Sequence, residues 1–184
     1  MDALPTLLGL SGSLRAASHN TAVLHCLPAL LAGRASLQVM TLNELPPYNA
    51  DLDGDAMPAP VKVFKQAIAA ADALVICSPE YNWGIPGVLK NALDWASRPG
   101  YASVLKGKPV LVMTASTGPF GGVRAQAHLR DVLASVLARM VVRQQVAIPA
   151  VDQKIRDGRL SDETTITLIR AALDDLLSEL TRPR

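Results

Sequence analysis

The sequence predicts an α/β protein in which helices cover both faces of a parallel β-sheet. Short apolar runs recur along the chain without polar alternation, as expected of strands that are buried on both faces. Between these runs lie segments with apolar residues at intervals of three and four, which indicate amphipathic helices. With 184 residues, 49% of them hydrophobic, the chain can fill one core, so we expect residues 1–184 to form a single domain.

The first half of the chain predicts two strands and two helices. Residues 4–10 are an apolar run that ends in Gly and Ser turn residues, and residues 36–42 predict the second strand. Between them, residues 20–33 have helical periodicity, with Asn20 as the cap and a glycine as the stop. Residues 58–72 place their large apolar side chains on one face of a second helix.

The middle of the chain continues this alternation. Residues 73–78 and 108–116 are continuous apolar runs, which is typical of central strands in a parallel sheet. Residues 85–98 and 122–139 follow these two strands and have apolar residues on one side of a helix.

The C-terminal part predicts one more strand and a closing helix. Residues 140–148 predict the strand, residues 152–160 a loop, and residues 161–180 a helix capped by Ser161. Residues 43–58 are the only long irregular segment. Strands and helices therefore alternate five times, and right-handed crossovers leave few possible topologies.

Charge and hydropathy exclude several classes of protein. The formal net charge of +2 is dispersed along the chain, which argues against a nucleic-acid partner. The longest apolar stretches, such as 23–32, reach about half of the ~20 residues that a membrane span needs. An acid near the N-terminus replaces the basic start of a secretory signal, so we expect a cytoplasmic protein without a membrane partner. Cys26 and Cys77 lack the spacing of a zinc site and are interpreted as buried apolar residues.

The segment after the first strand, 11–20, predicts a phosphate site. In a parallel sheet, ligands bind beyond the carboxyl ends of the strands. This segment precedes a helix, whose N-terminus offers N–H groups and partial positive charge to an anion. It also supplies polar side chains, namely Ser11, Ser13, Arg15, Ser18 and Asn20. Neither a P-loop nor a GxGxxG fingerprint is present, and an ordinary Ser-rich cap and turn is the alternative.

The segments after the third and fourth strands predict a site for a flat ring. Segment 79–84 has Tyr81 and Trp83 in a turn that does not need them, although the rings could also fold back over the core. Segment 116–124 has glycines that allow close backbone approach, a flexible linker being the alternative. Phosphate donors, aromatic rings and glycines at one sheet edge together fit a phosphorylated planar cofactor such as flavin mononucleotide (FMN).

Three sequence segments resemble those of a known family. "GLSGSLRAASHNTAV" (9–23), "SPEYNWGIPGVLKNALDWASRP" (78–99) and "STGPFGGVRAQAHLR" (116–130) are similar to the NADPH-dependent FMN reductases, which include chromate, quinone and azo-dye reductases. The resemblance extends to residues 157–165. It implies a flavodoxin-like three-layer α/β/α sandwich with a five-stranded parallel sheet of strand order 2-1-3-4-5. It also implies non-covalent FMN and a homodimer or homotetramer with the flavin near the subunit boundary.

The resemblance also implies a role for each matching residue. The phosphate would be held by Ser11, Ser13, Arg15, Ser18 and Asn20. The ring and ribityl chain would be lined by Pro79, Glu80, Tyr81 and Asn82, and contacted from the next loop by Ser116, Thr117, Gly118 and Gly122. No catalytic acid, base or nucleophile and no metal is assigned, because the cofactor carries the chemistry.

Two positions depart from the family pattern. Trp83 stands where the most similar members usually have Tyr, and Ala127 stands where some tetrameric members have a Tyr near Arg124. The second departure removes one contact that the resemblance would otherwise imply for a tetramer.

The implied function is hydride transfer from NADPH, or from NADH, to bound FMN and then to a small acceptor. Quinone, chromate, azo compound and free flavin all stay open as acceptors. Because donor and acceptor would use one open face in turn, ping-pong kinetics are expected. Two other classes stay open, namely a flavodoxin-type electron carrier and a binding module without cofactor. Flavodoxins are typically acidic, so the net charge of +2 favours the reductase.

Overall fold

The computed structural model describes residues 3–181 and places helices on both sides of a parallel sheet. The sheet strands are β1 (Thr6–Ser11), β2 (Ser36–Met40), β3 (Ala73–Ser78), β4 (Pro109–Ala115), β5 (Arg139–Met140) and β6 (Val146–Ile148). The helices are α1 (His19–Leu31), α2 (Ala59–Ala70), α3 (Gly87–Ala96), α4 (Val123–Ser135), α5 (Val151–Lys154) and α6 (Glu163–Thr181). A separate antiparallel hairpin consists of β7 (Ile155–Arg156) and β8 (Arg159–Leu160).

The sheet has the order β2-β1-β3-β4-β5, with β6 pairing beside the end of β4. All of these pairings are parallel, which confirms the predicted flavodoxin-like fold and the strand order 2-1-3-4-5. Along each strand, successive side chains point to opposite faces of the sheet. Leu7, Val75 and Met113 therefore belong to the apolar cluster with α1 and α6, whereas Leu8 and Ile76 belong to the cluster with α2, α3 and α4.

The predicted fifth strand, 140–148, is interrupted in the structure. β5 pairs with the start of β4 and β6 with its end, and the residues between them leave the ladder. Arg143 explains the break, because its guanidinium donates to Asp175 of α6 at 2.8 Å and to the Gln144 carbonyl at 3.1 Å. A strand with three consecutive polar residues at this point could not bury both faces.

Two helices are capped by a residue other than the one that the sequence predicted. Ser18, not Asn20, caps α1, since its hydroxyl accepts the N–H of Thr21 at 3.3 Å. Asp162, not Ser161, caps α6 by accepting the Thr165 N–H at 2.8 Å. Hydrogen bonds from Thr165 also lower the pKa of the Asp162 carboxyl.

The predicted loops contain short regular elements. Segment 152–160 holds most of α5 and the β7–β8 hairpin, whose turn residues Asp157 and Gly158 both have positive φ. Segment 43–58 contains two turns of 3₁₀ helix, Ala50–Leu52 and Gly54–Ala56. Within residues 3–181, no helix is both long and apolar enough to cross a bilayer.

Candidate functional site

The three segments that the sequence singled out converge at one edge of the sheet. The register pairs Ser11 with Cys77 and Ser78 with Thr114, so β1, β3 and β4 end at the same level. The N–H of Gly12 donates to the Cys77 carbonyl at 2.9 Å and joins the first segment to β3. A cavity of about 150 Å³ lies between the segments. Of the predicted site residues, it is lined by Ser13, Arg15, Ser18, Asn20, Pro79, Glu80, Tyr81, Ser116 and Thr117. Four predicted residues, Ser11, Asn82, Gly118 and Gly122, do not line this cavity.

Hydroxyl groups shape the first segment. The buried Ser11 hydroxyl shares a 2.7 Å hydrogen bond with the Thr21 hydroxyl and accepts the Ser13 N–H at 3.3 Å. The Ser13 hydroxyl in turn accepts the Arg15 N–H at 3.3 Å. Ser11 thus holds the loop from beneath, whereas Ser13, Ser18 and the exposed Arg15 lie at the cavity beside the N-terminus of α1.

Asn20 connects α1 to the two central strands. Its side-chain amide donates to the Ala115 carbonyl at 3.1 Å and accepts the Ala115 N–H at 3.2 Å. Its side-chain oxygen also accepts a hydrogen bond from the Cys77 thiol at 3.3 Å. Burial raises the pKa of the Cys77 thiol, which keeps it protonated and able to donate. The buried side chain of Asn20 is therefore engaged with strand backbone while lining the cavity.

The aromatic turn is a two-residue reversal. Tyr81 and Gly84 exchange two backbone hydrogen bonds of 3.0 Å, and Asn82 and Trp83 have φ values of 49° and 68°. Asn often adopts this left-handed conformation, whereas Trp rarely does. Tyr81 and Trp83 are 48% and 72% exposed, so the rings do not fold back over the core. The guanidinium of Arg124 lies 4.6 Å from the centre of the Trp83 ring.

The glycine segment is anchored at several points, which contradicts the flexible-linker alternative. The Ser116 N–H donates to the Ile148 carbonyl at 3.0 Å, and the Gly118 N–H donates to the Ser116 hydroxyl at 3.0 Å. Gly121 has φ +62°, and a Cβ there would lie 2.8 Å from the Ile148 nitrogen. Gly122 has φ +84°, and its Cβ would lie 3.0 Å from that of Thr114. Gly121 and Gly122 thus allow this segment to pack against β4 and β6.

The sequence did not predict two polar contacts, one of Glu80, which was expected to line the ring, and one of Gln126, to which no role was assigned. The carboxylate of Glu80 accepts the backbone N–H groups of Arg124 and Ala125 at the start of α4. The buried amide of Gln126 donates to the Thr114 hydroxyl and to the Val146 carbonyl, both at 3.1 Å. Each partner is distant in sequence, so no local spacing could have revealed either contact.

The donor set of this edge fits FMN. Hydroxyls, a guanidinium and the N-terminus of α1 lie together at one end, as a phosphate requires. Segments 79–82 and 116–118 stand beside them and carry the exposed Tyr81 ring and backbone polar groups. Within residues 3–181 no group of three or more His, Cys, Asp or Glu side chains could hold a metal ion.

Comparison with known proteins gives one consistent family. Residues 5–153 match the sequence model of the NADPH-dependent FMN reductases. Over 171 residues the chain is 39% identical to an NAD(P)H-dependent FMN reductase from Pseudomonas aeruginosa, with 92% of each protein covered. Over 164 residues it is 40% identical to a 2-hydroxy-1,4-benzoquinone reductase from Burkholderia, with 89% of each covered.

A solved structure agrees with these sequence matches. The flavoenzyme NAD(P)H:(acceptor) oxidoreductase from Paracoccus denitrificans superposes with a TM-score of 0.87 at 34% identity. The superposition covers 96% of this chain and 97% of that one. Because the family match covers most of the chain and the segments that carry the resemblance meet at one cavity, the chain belongs to the NADPH-dependent FMN reductase family.

Proposed function

We propose that this chain passes electrons from NAD(P)H to a quinone-type small molecule, with FMN bound between the three segments. Family membership makes the chain an NAD(P)H-dependent oxidoreductase that uses FMN. The benzoquinone reductase among its relatives supports the acceptor class. The observation that carries the proposal is the meeting of a helix N-terminus, with its hydroxyl and guanidinium donors, and the exposed Tyr81 ring at one cavity.

The first segment would hold the phosphate. Ser13, Arg15 and Ser18 lie at the cavity and can donate hydrogen bonds to phosphate oxygens, together with the N–H groups at the start of α1. We assign Ser11 and Asn20 a supporting role, because their side chains already bond to the loop and to the strands. This assignment differs for these two residues from the direct contact that the resemblance implies.

The other two segments would hold the ring and the ribityl chain. Pro79 and Tyr81 of the second segment and Ser116 and Thr117 of the third line the cavity. When bound, FMN supplies the hydride and electron chemistry, so the chain contributes binding, orientation and electrostatics. The hydroxyls of Ser116 and Thr117, which line the cavity, would stabilise negative charge at the polar edge of the ring.

A site of this kind would serve the two substrates one after the other. We expect ping-pong kinetics, in which the nicotinamide leaves before the quinone enters the same face. Parallel lines in initial-rate plots of NADPH against benzoquinone would support this order, and intersecting lines would contradict it. We also expect a homodimer or homotetramer, which light scattering of the purified protein would measure.

An absorption spectrum followed by an anaerobic titration tests the function. The purified protein, reconstituted with FMN if colourless, should show flavin bands that NADPH bleaches and benzoquinone restores with repeated turnover. Bleaching without turnover would favour an electron carrier. Failure to bind added FMN would favour a binding module and overturn the proposal.

A further inference from the structure

One carboxylate holds the aromatic turn against the start of α4. Oε2 of Glu80 accepts the N–H of Arg124 at 2.9 Å and the N–H of Ala125 at 3.1 Å. In the first turn of a helix these N–H groups have no carbonyl partner within the helix itself. The carboxylate also lies at the positive end of the helix dipole, which strengthens both hydrogen bonds. Oε1 of the same side chain lies 3.9 Å from the Arg124 guanidinium.

Two further contacts join the same turn to the same helix. The Arg124 guanidinium stacks on the ring of Trp83 at 4.6 Å, and Nδ1 of His128 accepts the Ile85 N–H at 3.3 Å. α4 therefore contacts the residues on either side of the turn, Glu80 and Ile85, and Trp83 at the tip of the turn. Because α4 begins directly after Gly122, its first turn also fixes the end of segment 116–122.

We propose that Glu80 is a positioning residue that sets the separation between segments 79–82 and 116–122. Only 17% of its side chain is exposed, and its oxygens face α4. Glu80 would thus act on the ring through the two walls of the cavity, not through a hydrogen bond of its own to the ring. This inference rests on the proposed function, since it concerns the ring end of the FMN site.

The test compares FMN with riboflavin, which has the same ring and ribityl chain but no phosphate. Glu80→Ala removes the charge-assisted hydrogen bonds between segment 79–82 and the start of α4. We expect this loss to weaken the binding of both ligands by about tenfold. The ratio of the two dissociation constants should stay unchanged, because the phosphate segment 11–20 is intact. Glu80→Gln keeps a neutral acceptor and should restore part of the affinity. Glu44→Gln, at an exposed glutamate, is the matched control.

Amide hydrogen exchange gives a second readout that does not depend on a ligand. The N–H groups of Arg124 and Ala125 should exchange faster in Glu80→Ala than in the Glu44→Gln control. If the unaltered protein binds neither FMN nor riboflavin, the proposed function fails. If it binds both and Glu80→Ala changes neither affinity, or changes only that for FMN, the positioning role is overturned. If Glu80→Ala does not fold, the same comparison with Glu80→Gln decides.

Discussion

Arg15 is the charged side chain of segment 11–20, and its position at the cavity leads to a prediction. A hydrogen bond from a charged donor contributes about 1.5–3 kcal/mol. Arg15→Ala should therefore weaken FMN binding by about tenfold or more. Riboflavin binding and the melting temperature without FMN should not change. Fluorescence titration measures both affinities, with Arg156→Ala, at a hairpin residue that does not line the cavity, as the control. An unaltered FMN affinity would remove Arg15 from the site.

Asn20 gives a prediction about stability. Asn20→Ala leaves the buried N–H and C=O of Ala115 without their side-chain partner. Each such group costs about 1–3 kcal/mol, so the free energy of unfolding should fall by about 2 kcal/mol or more. In a chain of this size that is a loss of roughly 4 °C or more in melting temperature. Urea unfolding measures the change, and Asn43→Ala, at an exposed asparagine, should leave stability unaltered.

At the residue scale, the sequence could predict the chemical character of the site's side chains but not their hydrogen-bond partners. The hydroxyls and guanidinium of segment 11–20 indicate an anion site because they lie within a few residues of the predicted helix start in the sequence. The partners of Asn20 are 57 and 95 residues away, and those of Glu80 are 44 and 45 residues away. Such contacts depend on how the strands align, which local spacing does not contain.

At the element scale, the tight packing of the glycine segment can be tested. Gly121 and Gly33 both have positive φ, at +62° and +76°. Either change to Ala costs about 1–2 kcal/mol for the left-handed conformation. A Cβ at Gly33 would meet no described atom within 4 Å, whereas one at Gly121 would lie 2.8 Å from the Ile148 backbone. Gly121→Ala should therefore lower the free energy of unfolding more than Gly33→Ala, as urea titration would show. Equal losses would contradict the packing of this segment against β6.

The elements that the sequence predicted best are those buried on both faces. β3 spans Ala73–Ser78, the predicted range, because a wholly apolar run suits a central strand. The fifth strand was predicted as continuous, yet Arg143 turns out of the ladder to reach Asp175 on α6. The three consecutive polar residues 143–145 already indicated a break within the segment. That Arg143 bonds to α6 there could not be predicted, because its partner lies on another element.

At the scale of the whole molecule, the fold itself brings the site together. Three neighbouring parallel strands end at one edge, so the segments after them must meet whatever their residues are. This is why the cavity could be predicted from the order of the elements together with the loop composition. The way the second and third segments are held relative to each other depends on α4, and only the structure shows this.

Because the site spans the ends of three strands, FMN should stabilise the entire chain. Binding to the folded state alone adds about 2.7 kcal/mol at a concentration 100 times the dissociation constant. In a chain of this size that raises the melting temperature by roughly 5–10 °C. Thermal unfolding should show a larger shift with FMN than with equal concentrations of riboflavin or AMP. Riboflavin lacks the phosphate that segment 11–20 would bind, and AMP lacks the tricyclic ring. A larger shift with AMP would show that the aromatic and glycine segments select a nucleotide instead of a flavin.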